Sequence, residues 1–363
     1  MMTTSATRQP LQPVELYIGD DRGNHLNKVM RQGKQPWSKP EPYKFLSGIR
    51  YIKPAPVQDR AVSLFGDSGI YLTRADALRA TKGVRRNPID TGDKVRGLAI
   101  TVADIVAEAH PQGNASWLQP LRVHVSFSSP HASRAVRVAG EKELKKLEKG
   151  FVVGGAKYNV EIGEVTCHHE GFLFLEKGVE DCGAVIDFGS GTLQAAHLTD
   201  EDKIHPVQIS NGDRKGSNPW LGELANQEAV KAQIAKAKKL YGLDIEKMSH
   251  NFGNGQFVVE GINLLPALRK TLPQRLTNLA NASVQVRTSL KQYGRDDLVG
   301  ETIYVIGGGA ALIAEVATPR QLETLYQKYR VKLWHDAPEY QTVLTMHQLF
   351  LQSRPDWQYK TSR

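Results

Sequence analysis

Apolar and polar positions change period several times along the chain, and each change marks a predicted element. Val14 to Gly19 (VELYIG) reads as a short strand with a turn signal, DDRGN, directly behind it. Residues 34–56 are rich in Pro and aromatics with only brief β-like runs (YKFL, IRYI), which fits an irregular insertion or small subdomain better than a core sheet. Leu98 to Ala109 (LAITVADIVAEA) has helical apolar spacing, and Leu121 to Phe127 (LRVHVSF) alternates as a strand. A basic helix is expected over 140–149, then two strand-like runs, one around Gly154-Gly155 and one from Lys157 to Val165, with the composition of a hairpin. Between Leu221 and Tyr241 the apolar residues Leu224, Val230, Ile234, Ala237 and Tyr241 follow a helical template, and Gly242 stands at the expected stop. Thr302 to Ile306 (TIYVI) is a β-branched strand running straight into Gly307-Gly308-Gly309. Thr318-Pro319-Arg320-Gln321 combines a Thr cap, Pro at the first helical position and Gln three residues after the cap, so a helix starts there. Strands alternating with helices, and no repeat of 20 to 50 residues, predict an α/β protein.

At 363 residues and 40% apolar composition, the chain can form one large or two smaller globular domains. No apolar run approaches the roughly 20 residues that span a bilayer, and the start MMTTSATRQPLQP lacks the apolar stretch of a signal peptide, so a cytoplasmic protein is expected. Cys167 and Cys182 have no CxxC spacing or matching His pattern, which predicts reduced structural thiols. A net charge of +9 suits anionic partners, but it is spread along the chain. Its densest patches, KELKKLEK (142–149) and KAQIAKAKK (231–239), mix Lys with Glu, Gln or Ala on predicted helices and read as solvated faces. Helix-turn-helix, zinc-finger and aromatic RNA-binding signatures are absent from the sequence.

Three segments share one design, an apolar strand emptying into a Gly-bearing turn: YIGDDRGNHLNK (17–28), VIDFGSGT (185–192) and YVIGGGAAL (304–312). Such turns let backbone amides approach a phosphate closely. Two of them also carry Asp at the strand end, where it would repel a phosphate unless a divalent cation lay between them. Oxygen ligands, often through water, are what Mg²⁺ prefers. Read from the residues alone, Asp20 and Asp21 could also simply initiate a turn. The Gly triplet could open a dinucleotide-binding turn, although Leu312 stands where that fingerprint needs Gly or Ala. A P-loop is excluded, because no GxxxxGK[ST] occurs.

Taken together, the set resembles the actin, Hsp70 and sugar-kinase superfamily of ATPases. Asp21-x-Gly23 with Lys28 seven residues after the Asp is similar to the first phosphate motif of the actin branch, and Asp187-x-Gly189-x-Gly191-Thr192 to the second. Gly307-Gly308-Gly309 after a strand is similar to the adenosine motif. Glu170, in His168-His169-Glu170-Gly171-Phe172 and 17 residues before Asp187, falls where the family places the residue that orients the attacking water. This arrangement is most similar to the plasmid-segregation actins of the ParM or StbA type. Two departures stand out: Asn24 replaces the Ser or Thr that often follows the first-motif Gly, and Gln341-Thr342 replaces Ala-Asn in a Pro-x-Phe-Ala-Asn-like segment at Pro338.

The resemblance implies a two-domain actin-like (ribonuclease H-like) fold with nucleotide in the interdomain cleft. The first domain would span 14–190, with 316–355 returning to it, and the second 191–315. It implies ATP (or GTP) with Mg²⁺ as cofactors and ATP hydrolysis as the chemistry. Asp21 and Asp187 would hold the metal shell, and Lys28 would neutralise β- and γ-oxygens. Phosphates would be cradled around Gly23, Asn24, Gly189, Ser190, Gly191 and Thr192, the nucleoside would lie on Gly307, Gly308 and Gly309, and Glu170 with Asp187 would carry the catalysis. The implied partners are other copies of the chain in a cytoskeletal filament and a DNA-binding adaptor, with DNA reached only indirectly and no membrane. The alternatives on the same fold are a small-molecule (sugar or acid) kinase and a non-polymerising ATP-dependent switch.

Overall fold

The computed structural model describes residues 14–22, 26–34, 39–46, 49–52, 61–67, 69–79, 84–85, 94–114, 120–129, 132–189, 191–201, 203–210, 212, 216–236, 243, 248, 251–252 and 255–357. The strands β1 (Glu15–Arg22), β2 (Leu26–Gly33), β3 (Glu41–Leu46), β8 (Leu121–Ser129) and β11 (Val160–His169) form a mixed sheet in the order β11-β8-β1-β2-β3. Against one face pack α2 (Leu98–Ala109) and α3 (Arg134–Leu144), which bury Ile18, Val29, Val123, Val125 and Phe127. Against the other lies α9 (Gln341–Ser353), whose Val343, Met346 and Phe350 meet Tyr17 and Met30.

A second mixed sheet, in the order β14-β13-β12-β17-β18, comprises β12 (Cys182–Phe188), β13 (Leu193–Leu198), β14 (Ile204–Val207), β17 (Thr302–Ile306) and β18 (Val331–Leu333). Its core is filled by α4 (Ser217–Ala225), α5 (Glu228–Lys236), the 28-residue α6 (Leu265–Gln292), α7 (Gly308–Val316) and α8 (Pro319–Tyr329). The remaining strands make two lesser sheets. The six short strands β4 (Ile49–Ile52), β5 (Val62–Leu64), β6 (Ile70–Thr73), β7 (Val84–Arg85), β9 (Phe151–Val153) and β10 (Ala156–Tyr158) pair beside α1 (Arg74–Arg79) and α2. The hairpin of β15 (Val258–Val259) and β16 (Ile262–Asn263) lies on α5.

Several expected elements appear as read: α2, the strand Thr302–Ile306, and α8 with both halves of its Thr318/Gln321 capping box. Others differ for physical reasons. β1 continues through Asp20, Asp21 and Arg22 because these residues pair with Val29, Lys28 and Asn27, so both Asp residues sit on the ladder rather than in a turn. Residues 41–46, expected in an irregular insertion, instead form the edge strand of the first sheet, where Pro42 is tolerated because an edge strand leaves one backbone side unpaired. The basic helix begins at Arg134, capped by Ser133 Oγ accepting from Val136 N–H, and tightens to a 3₁₀ turn after Leu144. Gly154-Gly155 turns a short β9–β10 hairpin, but β11 leaves it to run parallel to β8. The helix expected over 221–241 is two helices broken at Asn226-Gln227, with Asn226 bonding back to Gly222; Ala237, Tyr241 and Gly242 lie outside the described residues. Both cysteines are free, and burial pushes their thiols up, to about 11 for Cys167 and about 12 for Cys182. Among the described residues, no helix is long and apolar enough to cross a membrane.

Candidate active site

Period-two pairing brings the first half of the site together. Asp21 on β1 faces Lys28 on β2, and Lys28 faces Lys44 on β3, so three charged side chains line up across adjacent strands. On the other flank Ser128 of β8 donates a 2.6 Å hydrogen bond to Asp21 Oδ1, while Lys28 Nζ lies 3.3 Å from Asp21 Oδ2. Burial works against the Asp21 carboxylate, but Lys28, Lys94 and the two hydrogen bonds outweigh it and hold the group below its ordinary value.

The second half comes from the other sheet. β12 and β17 run parallel at its centre, with Asp187 level with Ile306, so both strands empty at the same end. There the Asp187 carboxylate is wedged between two glycines. A Cβ on Gly171 would fall 2.3 Å from Asp187 Oδ2, and one on Gly307 would fall 2.4 Å from Oδ1. Both glycines have positive φ, 72° and 93°. Burial pushes the Asp187 carboxyl up to about 7, opposed by Lys28 and Lys94 and reinforced by Glu170 and Asp21. Lys28 is the converse case: burial disfavours its charge, but Asp21, Asp187 and Glu170 together keep the ammonium above its ordinary value.

Glu170 closes the group. Its backbone N–H donates to Ser129 O at 3.1 Å, its carbonyl accepts from Phe172 N–H at 2.8 Å, and its carboxylate lies 3.2 Å from Lys94 Nζ. Asp21, Lys28, Glu170 and Asp187 are thus brought into one electrostatic neighbourhood. Gly23, Asn24 and Ser190 lie outside the described residues. Gly189 and Thr192 bracket the turn after β12, and the first amide of α4 (Ser217 N–H) donates to Gly189 O at 3.0 Å. A Cβ on Gly216 would meet Gly191 C at 2.4 Å, so α4 starts against this loop and aims its positive end at it.

A cavity of about 460 Å³ adjoins the cluster, lined in part by Lys28, Lys44, Ser217, Gly308, Leu312 and Trp334. Of the three successive glycines, Gly308 opens onto it, whereas a Cβ on Gly309 would collide with the Phe188 ring at 2.4 Å. The third glycine is therefore demanded by packing.

Sequence reasoning missed Ser128, Lys94 and the Gly216-Ser217 helix start. Only the last carried a signal, since Gly216-Ser217-Asn218-Pro219 is a plausible N-terminal pattern. A hydrated Mg²⁺ carried on a phosphate fits the donors present: two carboxylates from different sheets, one of them, Asp187, without a hydrogen bond or ion pair among the described residues, beside the ammonium groups of Lys28 and Lys94. Among the described residues no three His, Cys, Asp or Glu side chains form a metal site by themselves, so water and phosphate would complete the shell.

Two mixed sheets that each lend a carboxylate to one cleft define a two-domain α/β protein of the actin-like, ribonuclease H-like fold. Solved structures agree. Bacillus thuringiensis ParM with ATP matches at TM-score 0.60 and 16% identity over 94% of this chain and 100% of its own. An archaeal actin homologue matches at 0.58 and 15% over 93% and 99%. A subunit of a 15-stranded ParM filament from Clostridium botulinum matches at 0.52 and 13% over 93% and 99%. No family model and no curated protein matches the sequence.

Proposed function

We propose that this protein is an ATPase that assembles into actin-like filaments with ATP and Mg²⁺, and that the filament serves plasmid or DNA segregation through a DNA-binding adaptor. The observation that carries the reading is the convergence of Asp21 and Lys28 from one sheet with Asp187 from the other, beside a cavity onto which Gly308 opens. Sheet membership supports a division between the domains nearer residue 180 than the expected 190, because β12 pairs in the second sheet, and a return to the first at about 338 rather than 316, because β18 pairs in the second sheet too. A ParM with ATP and a ParM filament among the structural matches support the same reading through the fold.

In this reading Asp21 and Asp187 would hold the hydrated metal, and Lys28 would neutralise charge on the phosphates. Amides around Gly189 and Gly191 and the start of α4 receive the phosphates. Gly308 admits the nucleoside without a Cβ in the way. Bound Mg²⁺ neutralises charge on the transferred phosphoryl group, and the remaining work is positioning. Glu170 accepts a proton from, and orients, the attacking water.

The test follows light scattering and phosphate release together after limiting ATP. Scattering should rise on ATP addition and decay as phosphate appears, and Glu170→Ala should bind ATP yet form filaments that persist, with hydrolysis slowed by about 10²- to 10⁴-fold. No polymer in either protein, with an ATPase rate that climbs only when a metabolite is added, would establish the kinase alternative instead.

A further inference from the structure

Lys94 is a buried ammonium with no place in the sequence motifs, at 6% side-chain exposure. It lies in the turn that leads into α2, and that turn is strapped to the end of β1 in both directions. Arg22 Nη1 donates to the carbonyls of Lys94 (2.6 Å) and Arg96 (3.0 Å), and Lys94 Nζ donates back to the Arg22 carbonyl. The ammonium is therefore fixed in place, with its second acceptor at Glu170, 3.2 Å away. Glu170 depends on it in turn. Its main chain is clamped by Ser129 and Phe172, but among the described residues Lys94 is the one side chain that bonds its carboxylate. Lys28 reaches Glu170 only through space, being hydrogen-bonded to Asp21.

We propose that Lys94 is the positioning residue for Glu170: its ammonium lies 3.2 Å from both Oε1 and Oε2, and this two-oxygen contact fixes the plane of the carboxylate in which a remaining lone pair accepts the attacking water. This rests on the hydrolytic reading above. A carboxylate on a flexible side chain costs rotamer entropy to orient, and a preset cation removes that cost before substrate arrives. The bond to Arg22 also ties the orientation of Glu170 to the end of β1, one residue beyond Asp21, so the metal-side carboxylate and the water-side carboxylate share one support.

The experiment compares the parent with Lys94→Met, Lys94→Arg, Glu170→Gln and the Lys94→Met/Glu170→Gln double variant. It has three readouts: single-turnover phosphate release, affinity for a fluorescent ATP analogue with Mg²⁺, and thermal unfolding of nucleotide-free protein. Lys94→Met should slow release by about 10- to 100-fold, the range of a lost positioning contact, while affinity, read above about pH 8 so that Asp187 stays ionised without the field of Lys94, stays within about 3-fold. Lys94→Arg, which keeps a donor, should recover part of the rate. The double variant should be no slower than Glu170→Gln alone, because Lys94 acts through that carboxylate. In unfolding, each single variant should melt several degrees lower, roughly 5 °C, with the double losing no more than the larger single loss, since removing one partner leaves a buried charge uncompensated. Should Lys94→Met fail to fold, Lys94→Gln carries the same comparison. Additive rate losses, or a loss of affinity matching the loss of rate, overturn the inference. A parent without turnover instead refutes the hydrolytic reading itself.

Discussion

Gly171 gives the sharpest handle on the geometry, because its missing side chain is what lets Asp187 stand in the cleft. Its backbone adopts φ 72° and ψ −35°, a region that residues with a Cβ avoid, and the added methyl of Gly171→Ala would lie 2.3 Å from Asp187 Oδ2 and 2.8 Å from Cγ. Gly178, at the end of the same 3₁₀ segment, is the control: φ 63°, ψ 40°, with nothing within 4 Å of a built Cβ. Gly178→Ala carries only the backbone cost, about 1–2 kcal/mol. Gly171→Ala carries that cost and an overpacking collision of about 1–3 kcal/mol more. At roughly 2–4 °C per kcal/mol, Gly178→Ala should melt a few degrees lower and Gly171→Ala roughly 5–15 °C lower. The collision also pushes the carboxylate out of place, so Mg²⁺-dependent nucleotide affinity should fall at least about tenfold in Gly171→Ala, a loss of about 1.4 kcal/mol, and hold in Gly178→Ala. Scanning calorimetry and a fluorescent-nucleotide titration read both. Equal melting and equal affinity in the two variants would refute the packing of Gly171 on Asp187.

Four further outcomes are expected. Asp187→Ala should abolish hydrolysis while leaving the fold intact, checked by phosphate release beside circular dichroism, because among the described residues no hydrogen bond or ion pair holds the carboxylate and its neighbours are the glycines Gly171 and Gly307. Mg²⁺-dependent nucleotide affinity should rise between about pH 6 and 8, since Asp187 is pushed up to about 7 and must lose its proton to serve a cation. The same sign makes the nucleotide-free protein less stable as pH rises from about 4 through 7: both Asp187 and the buried Asp20 bind protons more tightly folded than unfolded, and Asp187→Asn should flatten the affinity profile. Direct binding to naked DNA should be weak and should collapse between low and physiological salt, because Lys142, Lys145, Lys146 and Lys149 stand out in solvent on the face of a helix and the following turn; tight, sequence-selective binding in a filter or mobility-shift assay would contradict it.

The parts of the fold that could be read in advance are those where local chemistry decides. The Thr318 capping box and the β-branched run 302–306 announce themselves within a few residues. Asp21 and Lys28 are legible for a related reason: they stand seven residues apart in sequence and face each other on the antiparallel ladder of β1 and β2. The edge strand 41–46 was not legible, since it is held by its pairing to β2 and its own sequence includes a proline. Lys94 could not have been found either. It stands 76 residues from Glu170, outside any periodic run, and only the reciprocal bonds with Arg22 bring it in. Gln341, a departure in the sequence comparison, acquires a reason in three dimensions. Its amide donates to the carbonyls of Asp336 and Ala337 at the positive-φ turn before α9, and its oxygen accepts from Lys177 at 2.6 Å, joining the two segments that pass between the sheets. The smaller side chains of the resembled motif would leave those groups without this link.

The central claim is nucleotide-driven self-assembly, and the most direct measurement is sedimentation with negative-stain microscopy at rising protein concentration, with and without ATP and Mg²⁺. Above a critical concentration, protein with ATP and Mg²⁺ should pellet and show filaments, while protein without nucleotide, or Asp187→Ala with it, should stay in the supernatant. Protein that remains soluble and unpolymerised in every nucleotide condition at all concentrations would contradict the account.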